Sequence, residues 1–416
     1  MVSGDSRIRS FLDERLGLEA LRALARKKGV PVHRCTHFYY LGGMALFLFG
    51  VQVVTGILLS LYYKPSPDQA FESVRAIMTE VDFGWLIRSA HSWSANLLVG
   101  VLFLHLLTTY MMRAYRRPRE ITWVTGVVLL GLFLAFGFSG YLLPWNELAF
   151  FATSVGTKIV GAVPLVGQDM LLLARGGENV TGDTLARFYS LHVVVFPLLT
   201  FVVLGVHLFL VQKHGMSVPD GPPGQPTDGG APRSIPFVPH FLLRDVVGWY
   251  LALALLAALS ALFPWELGNQ ADPFASAPEG IKPEWYFLFM FQALKQLPPW
   301  LGPVEGEVAG VMFFGFAGLI VLALPFLDRG PRSRAVLNGL VAASVAFFIV
   351  MTAWGWFAAP GEATRRFILG CLLVVIVLPL MIPFTNRESS ARRALYGGLS
   401  LALAALLVAG WWEWLG

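Results

Sequence analysis

Charge is scarce in this sequence. Only 57 of its 416 residues are Asp, Glu, Lys or Arg, which is 14%, whereas a soluble domain carries about 25%; the deficit excludes a single water-soluble globule. Sulfur is scarcer still. Cys35 and Cys371 are the only cysteines, too few for a disulfide framework or a Cys-only metal site. The segment before Phe38 mixes Arg, Lys, Asp and Glu and has no apolar core, so no cleavable signal peptide is read there, and the first span is expected to direct insertion. No nucleic-acid partner is expected.

What the chain has in excess is apolar length. Hydrophobic residues make up 56% of it, and they recur in runs of about twenty, enough at ~1.5 Å per helical residue to cross a ~30 Å hydrocarbon core. The pattern predicts an all-α, polytopic transmembrane bundle of about nine spans, at 38–62, 85–111, 121–143, 188–211, 246–263, 308–327, 335–358, 367–385 and 394–412. With the N-terminus inside, 21 of the 31 Lys and Arg fall on inner flanks, so an integral membrane protein with a cytoplasmic N-terminus is expected. Trp411, Trp412 and Trp414 would then form an outer aromatic belt. Two outer loops, 144–186 and 264–307, carry apolar and aromatic patches suited to a binding surface. The Pro- and Gly-rich inner stretch 217–239 reads as a flexible hinge between two blocks.

Four of the eight histidines lie inside spans: His91 and His105 on the second, His192 and His207 on the fourth. Polar groups at that depth are costly and mark function by default. Fourteen residues separate His91 from His105, about 40° short of four full turns, so both rings leave one face ~21 Å apart along the axis. His192 and His207 are fifteen apart with Pro197 between them, and a kink or a one-residue π-bulge would absorb the extra residue. The two helices run parallel, pairing His91 with His192 near the outer face and His105 with His207 near the inner face. Facing imidazoles suit axial ligation of haem iron. Packing histidines are the bland alternative for any one of them, and zinc would need more ligands per level than these spans supply.

Gly42 and Gly56 on span one, and Gly126 and Gly140 on span three, repeat the fourteen-residue interval. A missing Cβ would let a macrocycle edge approach the helix, opening two haem slots in a four-helix bundle. Arg88 and Arg187 stand just before the outer histidines, placed either to neutralise haem propionates or to snorkel at the interface.

At these residues the chain resembles the cytochrome b subunit of the quinol:cytochrome c oxidoreductases. The resemblance covers roughly 38–358 and runs through Val51-Gln52-Val53-Val54-Thr55-Gly56, Phe83-Gly84-Trp85-Leu86-Ile87-Arg88, Gly140-Tyr141-Leu142-Leu143-Pro144-Trp145, Arg187-Phe188-Tyr189-Ser190-Leu191-His192 and Pro283-Glu284-Trp285-Tyr286. It implies two non-covalent b-type haems on the four histidines. It also implies an outer quinol site between the loop after span three and the Pro283-Glu284-Trp285-Tyr286 loop, with Glu284 taking a quinol proton and Tyr286 helping to shape the pocket. A Rieske iron–sulfur protein would receive one electron, a c-type cytochrome would follow, and the other electron would reach quinone near the inner surface, with protons released outside and consumed inside. A homodimer within membrane lipid is implied as well.

Five segments follow from this reading. They are a cytoplasmic 1–37, a di-haem four-helix bundle with its outer loop over 38–216, the hinge at 217–240, a second block carrying the Pro-Glu-Trp-Tyr loop over 241–358, and two extra spans in 359–416. The fifteen-residue interval and the hinge resemble the photosynthetic bf-type complexes, with the halves fused. Relatives with a covalent third haem carry a cysteine just before the glycine pair of span one, where this chain has Tyr39-Tyr40-Leu41-Gly42-Gly43; Cys35 would serve only with a local rearrangement. Thr108 stands where many relatives have an arginine, leaving Arg113 or Arg119 to meet that propionate. His33, Arg34, Lys213 and His214 are the polar groups near the inner quinone depth. A di-haem anchor of a quinone-linked dehydrogenase is the alternative, but it would lack the Pro-Glu-Trp-Tyr loop and the second block; a transporter would carry an inverted repeat, and none is found.

Overall fold

The computed structural model describes residues 3–17, 19, 29–33, 35–218, 234–278 and 280–356. Spans eight and nine, Cys371, the tryptophans of the expected outer belt, Arg34 and most of the hinge lie outside the described residues. Among the described residues, seven helices are long and apolar enough to cross a membrane: Thr36–Ser60, Gly84–Met111, Glu120–Leu142, Gly182–His214, Phe237–Leu262, Gly306–Leu327 and Pro331–Trp356. Each overlaps one of the first seven expected spans, but the fourth and fifth begin earlier than expected, at Gly182 rather than 188 and at Phe237 rather than 246. A spanning helix satisfies every backbone N–H and C=O within itself, which is why long apolar runs take this form.

The helices in chain order are α1 (Ser3–Leu16), α2 (Tyr40–Ser60), α3 (Ala70–Thr79), α4 (Gly84–Met111), α5 (Glu120–Leu142), α6 (Glu147–Gly161), α7 (Gly167–Arg175), α8 (Gly182–Ser190), α9 (Phe196–His214), α10 (Leu242–Leu262), α11 (Trp285–Leu294), α12 (Gly306–Leu327) and α13 (Pro331–Trp356). A short antiparallel pair, β1 (Gly29–Pro31) with β2 (Ser234–Pro236), ties the N-terminal segment to the chain before α10. A second pair, β3 (Trp300–Leu301) with β4 (Val304–Glu305), forms a tight hairpin before α12. By contact the chain divides into two units, Met1–Pro144 with Phe188–Leu267 and Trp145–Arg187 with Gly268–Gly416.

In the first unit α2 packs on α4, and α9 on α5. Both contacts therefore set a histidine-bearing helix against a glycine-bearing one. Ala45, Leu48, Phe49, Leu98, Leu129 and Phe133 form a buried cluster at mid-height, with the Phe49 and Phe133 rings edge to face at 5.3 Å. These residues fall midway along α2, α4 and α5 between the two histidine levels, so an apolar plug separates the levels. The fifth long helix, α10, packs on α4 and α2, with Trp249 stacked on Phe47 at 5.7 Å and Phe241 on Tyr40 at 4.9 Å. By contact it belongs with the four helices before it, because its aromatic face matches that of α2.

In the second unit α11 lies against α13, and α6 against α7. Leu288 of α11 fits where Gly355 lacks a side chain, since a Cβ there would come within 2.6 Å of it. Phe289, Phe347, Val350, Met351 and Trp354 complete that core. Asn146 caps α6 by accepting the Ala149 amide at 2.9 Å, a satisfied N-terminus of the usual kind. The Trp145 carbonyl accepts from Ala271, and Glu147 N–H donates to Asn269, so the loop after α5 is knitted to the 269–271 segment. Buried Arg175 staples α6 to the chain after α7, donating to Thr157 Oγ1 at 2.7 Å, Ser154 O at 2.6 Å and Glu178 O at 2.5 Å.

Candidate functional site

The four intramembrane histidines meet in two pairs. His91 and His192 face each other with ring centres 6.4 Å apart, and His105 and His207 are near enough to interact electrostatically. Register on the fourth span is kept by a π-turn, Leu191–Val195, which leads directly into α9. That turn takes up the extra residue in the fifteen-residue interval, as the spacing required.

Each ring rests against one glycine. A Cβ added to Gly56 would lie 3.3 Å from Cε1 of His91, one on Gly42 3.3 Å from Cε1 of His105, one on Gly126 3.2 Å from Cε1 of His207, and one on Gly140 2.6 Å from Cε1 of His192. The glycine intervals therefore match the histidine interval for a steric reason the sequence did not show: each glycine seats the imidazole of the neighbouring helix. The bare backbone serves the ligand ring itself.

The ring nitrogens are also ordered. Thr55 Oγ1 lies 2.8 Å from His91 Nδ1, Thr125 Oγ1 3.0 Å from His207 Nδ1, and Ser139 Oγ 3.1 Å from His192 Nδ1. Each hydroxyl has a backbone carbonyl of its own helix within reach: Val51 O at 2.7 Å, Ile121 O at 2.9 Å and Phe136 O at 3.2 Å. A hydroxyl has one proton to give. With that proton donated to the helix, its oxygen accepts from the imidazole, so hydrogen-bond balance places the ring proton on Nδ1 and leaves the Nε2 lone pair free. That is the tautomer a metal needs.

Haem iron fits these residues. Two metal–imidazole bonds of about 2.0–2.1 Å, plus about 1.1 Å from each ligating nitrogen to its ring centre, add up to about 6.3 Å, close to the 6.4 Å observed between His91 and His192. Among the described residues no cluster of three or more His, Cys, Asp or Glu could hold a bare metal ion, so the paired imidazoles suit a metal that brings its own equatorial ligands.

The comparisons with known proteins agree with this geometry. A family model described as Cytochrome b/b6/petB matches residues 27–215, and one described as Cytochrome b(C-terminal)/b6/petD matches residues 270–378. The chain belongs to the cytochrome b/b6 family. It is 48% identical over 304 residues to a "Cytochrome bc complex cytochrome b subunit" of Chlorobaculum thiosulfatiphilum, covering 73% of this chain and 69% of that relative. Its fold matches a chain of a "Hyperthermophilic respiratory Complex III" with a TM-score of 0.76 at 29% identity, over 90% of this chain and 98% of the other. This cytochrome b is accordingly an integral membrane, haem-binding subunit of electron transport, of the cytochrome bc type.

The second unit holds the Pro-Glu-Trp-Tyr segment. Glu284 is the residue before α11, with φ −52° and ψ 148°, and its side chain does not cap the helix. The carboxyl is thus left free for other chemistry, and burial raises its pKa to about 7. Tyr286 is buried and Pro283 and Trp285 are half-buried; Trp285 packs edge-on against Tyr286 at 5.5 Å and against Phe348 at 6.2 Å. These contacts hold the turn that presents Glu284.

Arg88 and Arg187, expected either at haem propionates or snorkelling at the interface, donate to backbone carbonyls. Arg88 is buried and donates to the carbonyls of Trp265 and Glu266; Arg187 donates to the carbonyls of Leu172 and Leu173. Both guanidiniums fix backbone. Thr108 bonds to carbonyls of its own helix, and Arg119 donates to His214 O at 3.2 Å and Gly215 O at 3.4 Å, closing the C-terminus of α9. His33 is bonded to the Tyr39 hydroxyl at 2.6 Å. Cys35 is half-buried beside Val30, Tyr39, Met112 and Phe241.

Asp245, which the sequence reading passed over, stands out in the structure. It is 8% exposed, its Oδ1 is buried without a hydrogen-bond partner among the described residues, and a Cβ on Gly43 would overlap its carboxylate. The span boundary expected at 246 left it one residue outside the helix, whereas α10 begins at Leu242. An acidic residue in the first turn of an apolar span was the signal available.

Proposed function

We propose that this cytochrome b oxidises membrane quinol on the side of the Pro283-Glu284-Trp285-Tyr286 loop and returns an electron to quinone on the other side, as the proton-translocating core of a bc complex. The observation that carries the reading is the facing pair His91 and His192, spaced for one metal between two imidazoles. His91 with His192 and His105 with His207 would hold two non-covalent b-type haems, which supply one-electron redox at two depths.

The chain's own residues do the rest. A carboxyl with a pKa about 7 is half ionised near neutrality, so Glu284 accepts a proton from quinol and passes it to water. One quinol electron leaves to a Rieske iron–sulfur protein and on to a c-type cytochrome; the other crosses the bundle. Asp245, buried where α10 begins, supplies a proton to quinone at the far side, in preference to His33, Lys213 or His214. With 21 of 31 Lys and Arg on one set of flanks, the Asp245 end and the N-terminus face the cytoplasm, and the expected homodimer is embedded in lipid. Spans eight and nine are assigned no chemistry.

The test is haem stoichiometry on the purified complex. Wild type should yield two acid–acetone-extractable b haems, and His192→Ala should lose one and keep the other. Retention of both by His192→Ala would overturn the ligand assignment.

A further inference from the structure

The hydroxyl contacts form a pattern with one member missing. Thr55, Thr125 and Ser139 each immediately precede the glycine that seats the same ring: Thr55-Gly56 for His91, Thr125-Gly126 for His207, Ser139-Gly140 for His192. A residue that precedes the seating glycine is turned by one helical step and delivers its Oγ to the Nδ1 edge of the imidazole. At the fourth seat the preceding residue is Leu41. His105 Nδ1 is accordingly buried with no hydrogen-bond partner among the described residues. The missing bond follows from one side chain, since the seat itself matches those at Gly56 and Gly126: a Cβ on Gly42 would lie 3.3 Å from the ring, against 3.3 and 3.2 Å there.

We propose that this hydroxyl-glycine array sets the redox potentials of the two centres, with Thr55, Ser139 and Thr125 as positioning residues that act through the ligand imidazoles, and that Leu41 makes the His105–His207 centre the one held by a single bonded ring. The proposal rests on the bis-histidine reading above. An acceptor at Nδ1–H makes an imidazole more electron-rich and favours the oxidised metal. The Thr55 and Ser139 hydroxyls and the Phe136 carbonyl, 3.2 Å from His192 Nδ1, act at the His91–His192 centre, whereas the Thr125 hydroxyl and the Thr122 carbonyl act at the His105–His207 centre, both on His207. The buried Nδ1–H of His105 lacks that help and so favours the reduced metal there.

The experiment is an optical redox titration of the whole complex carrying Thr125→Val, Thr125→Ser, Thr55→Val or Leu41→Thr, with haem counted in each sample. Thr125→Val is expected to raise the potential of the His105–His207 centre by up to a tenfold change in the oxidised-to-reduced ratio, about 59 mV for a one-electron couple, and to leave the other centre in place. Thr125→Ser restores the wild-type value because it keeps the oxygen. Leu41→Thr supplies the missing acceptor and lowers the same centre. Thr55→Val raises only the His91–His192 centre. Wild-type protein without two haems would sink the bis-histidine reading. Two haems with potentials unmoved by Leu41→Thr and Thr125→Val, or Thr125→Ser shifting as far as Thr125→Val, would overturn the hydroxyl proposal alone. If Thr125→Val fails to assemble, Leu41→Thr and Thr55→Val decide the question.

Discussion

Gly140 is the sharpest test of the packing between helices and ligand rings. An added Cβ would stand 2.6 Å from His192 Cε1, whereas ordinary contact begins at 3.4 Å, so the ring or the helix must retreat by about 0.8 Å. At Gly42, Gly56 and Gly126 the same arithmetic gives only 0.1–0.2 Å, since those contacts stand at 3.2–3.3 Å. A metal–ligand distance tolerates about ±0.2 Å. The three milder sites therefore fall within tolerance and Gly140 does not. Overpacking of this kind costs about 1–3 kcal/mol, or roughly 5- to 150-fold in affinity. Replacing glycine by alanine in a helix also returns roughly 0.5–1 kcal/mol, but it does so at all four positions, so the difference between them isolates the clash. Gly140→Ala should weaken binding of the haem held by His91 and His192, with loss of one of two haems on extended purification, whereas Gly56→Ala keeps both. Gly140→Ala with two haems and unshifted spectra, alongside haem loss in Gly56→Ala, would refute the seating argument.

Two further outcomes are expected. Burial raises the Glu284 pKa from 4.5 to about 7, so the carboxyl is protonated and unable to accept a proton at pH 5, and becomes ionised as pH rises through 7. Quinol oxidation should climb over that interval, and Glu284→Gln should turn over slowly and lack the rise while keeping both haems; a wild-type profile across about pH 5–9 would remove Glu284 from the proton path. Gly43→Ala should lower the thermal midpoint through overlap with the Asp245 carboxylate, at about 1–3 kcal/mol. Asp245→Ala in the same chain should recover most of it, and additive losses in the double variant would show that the two residues do not meet.

Helical periodicity is a local property, and what depends on it was readable from the chain. The seven described spans, the two histidine levels, the fourteen-residue glycine intervals and the need for a kink or a π-bulge near Pro197 all follow from counting residues along one helix at ~100° each. The Pro-Glu-Trp-Tyr segment was likewise legible as a string. The register between helices was not. Only the packing of α2 on α4 and α9 on α5 shows that Gly56 seats His91 while Gly42 seats His105, and that the hydroxyl before three of these glycines meets Nδ1. Arg88 and Arg187 were read as propionate partners or interfacial snorkels, and their backbone partners were missed, because a sequence does not reveal which carbonyls a turn brings within reach of a guanidinium. Asp245 was lost at a helix boundary drawn four residues too late, and α10 joined the four helices before it through contacts that no single-helix pattern contains. Composition and period thus determined that this chain crosses a membrane with four histidines at two depths. Tertiary structure decided which glycine seats each ring and which three rings meet a hydroxyl, because hydrogen bonds and Cβ contacts are set by neighbours distant in sequence.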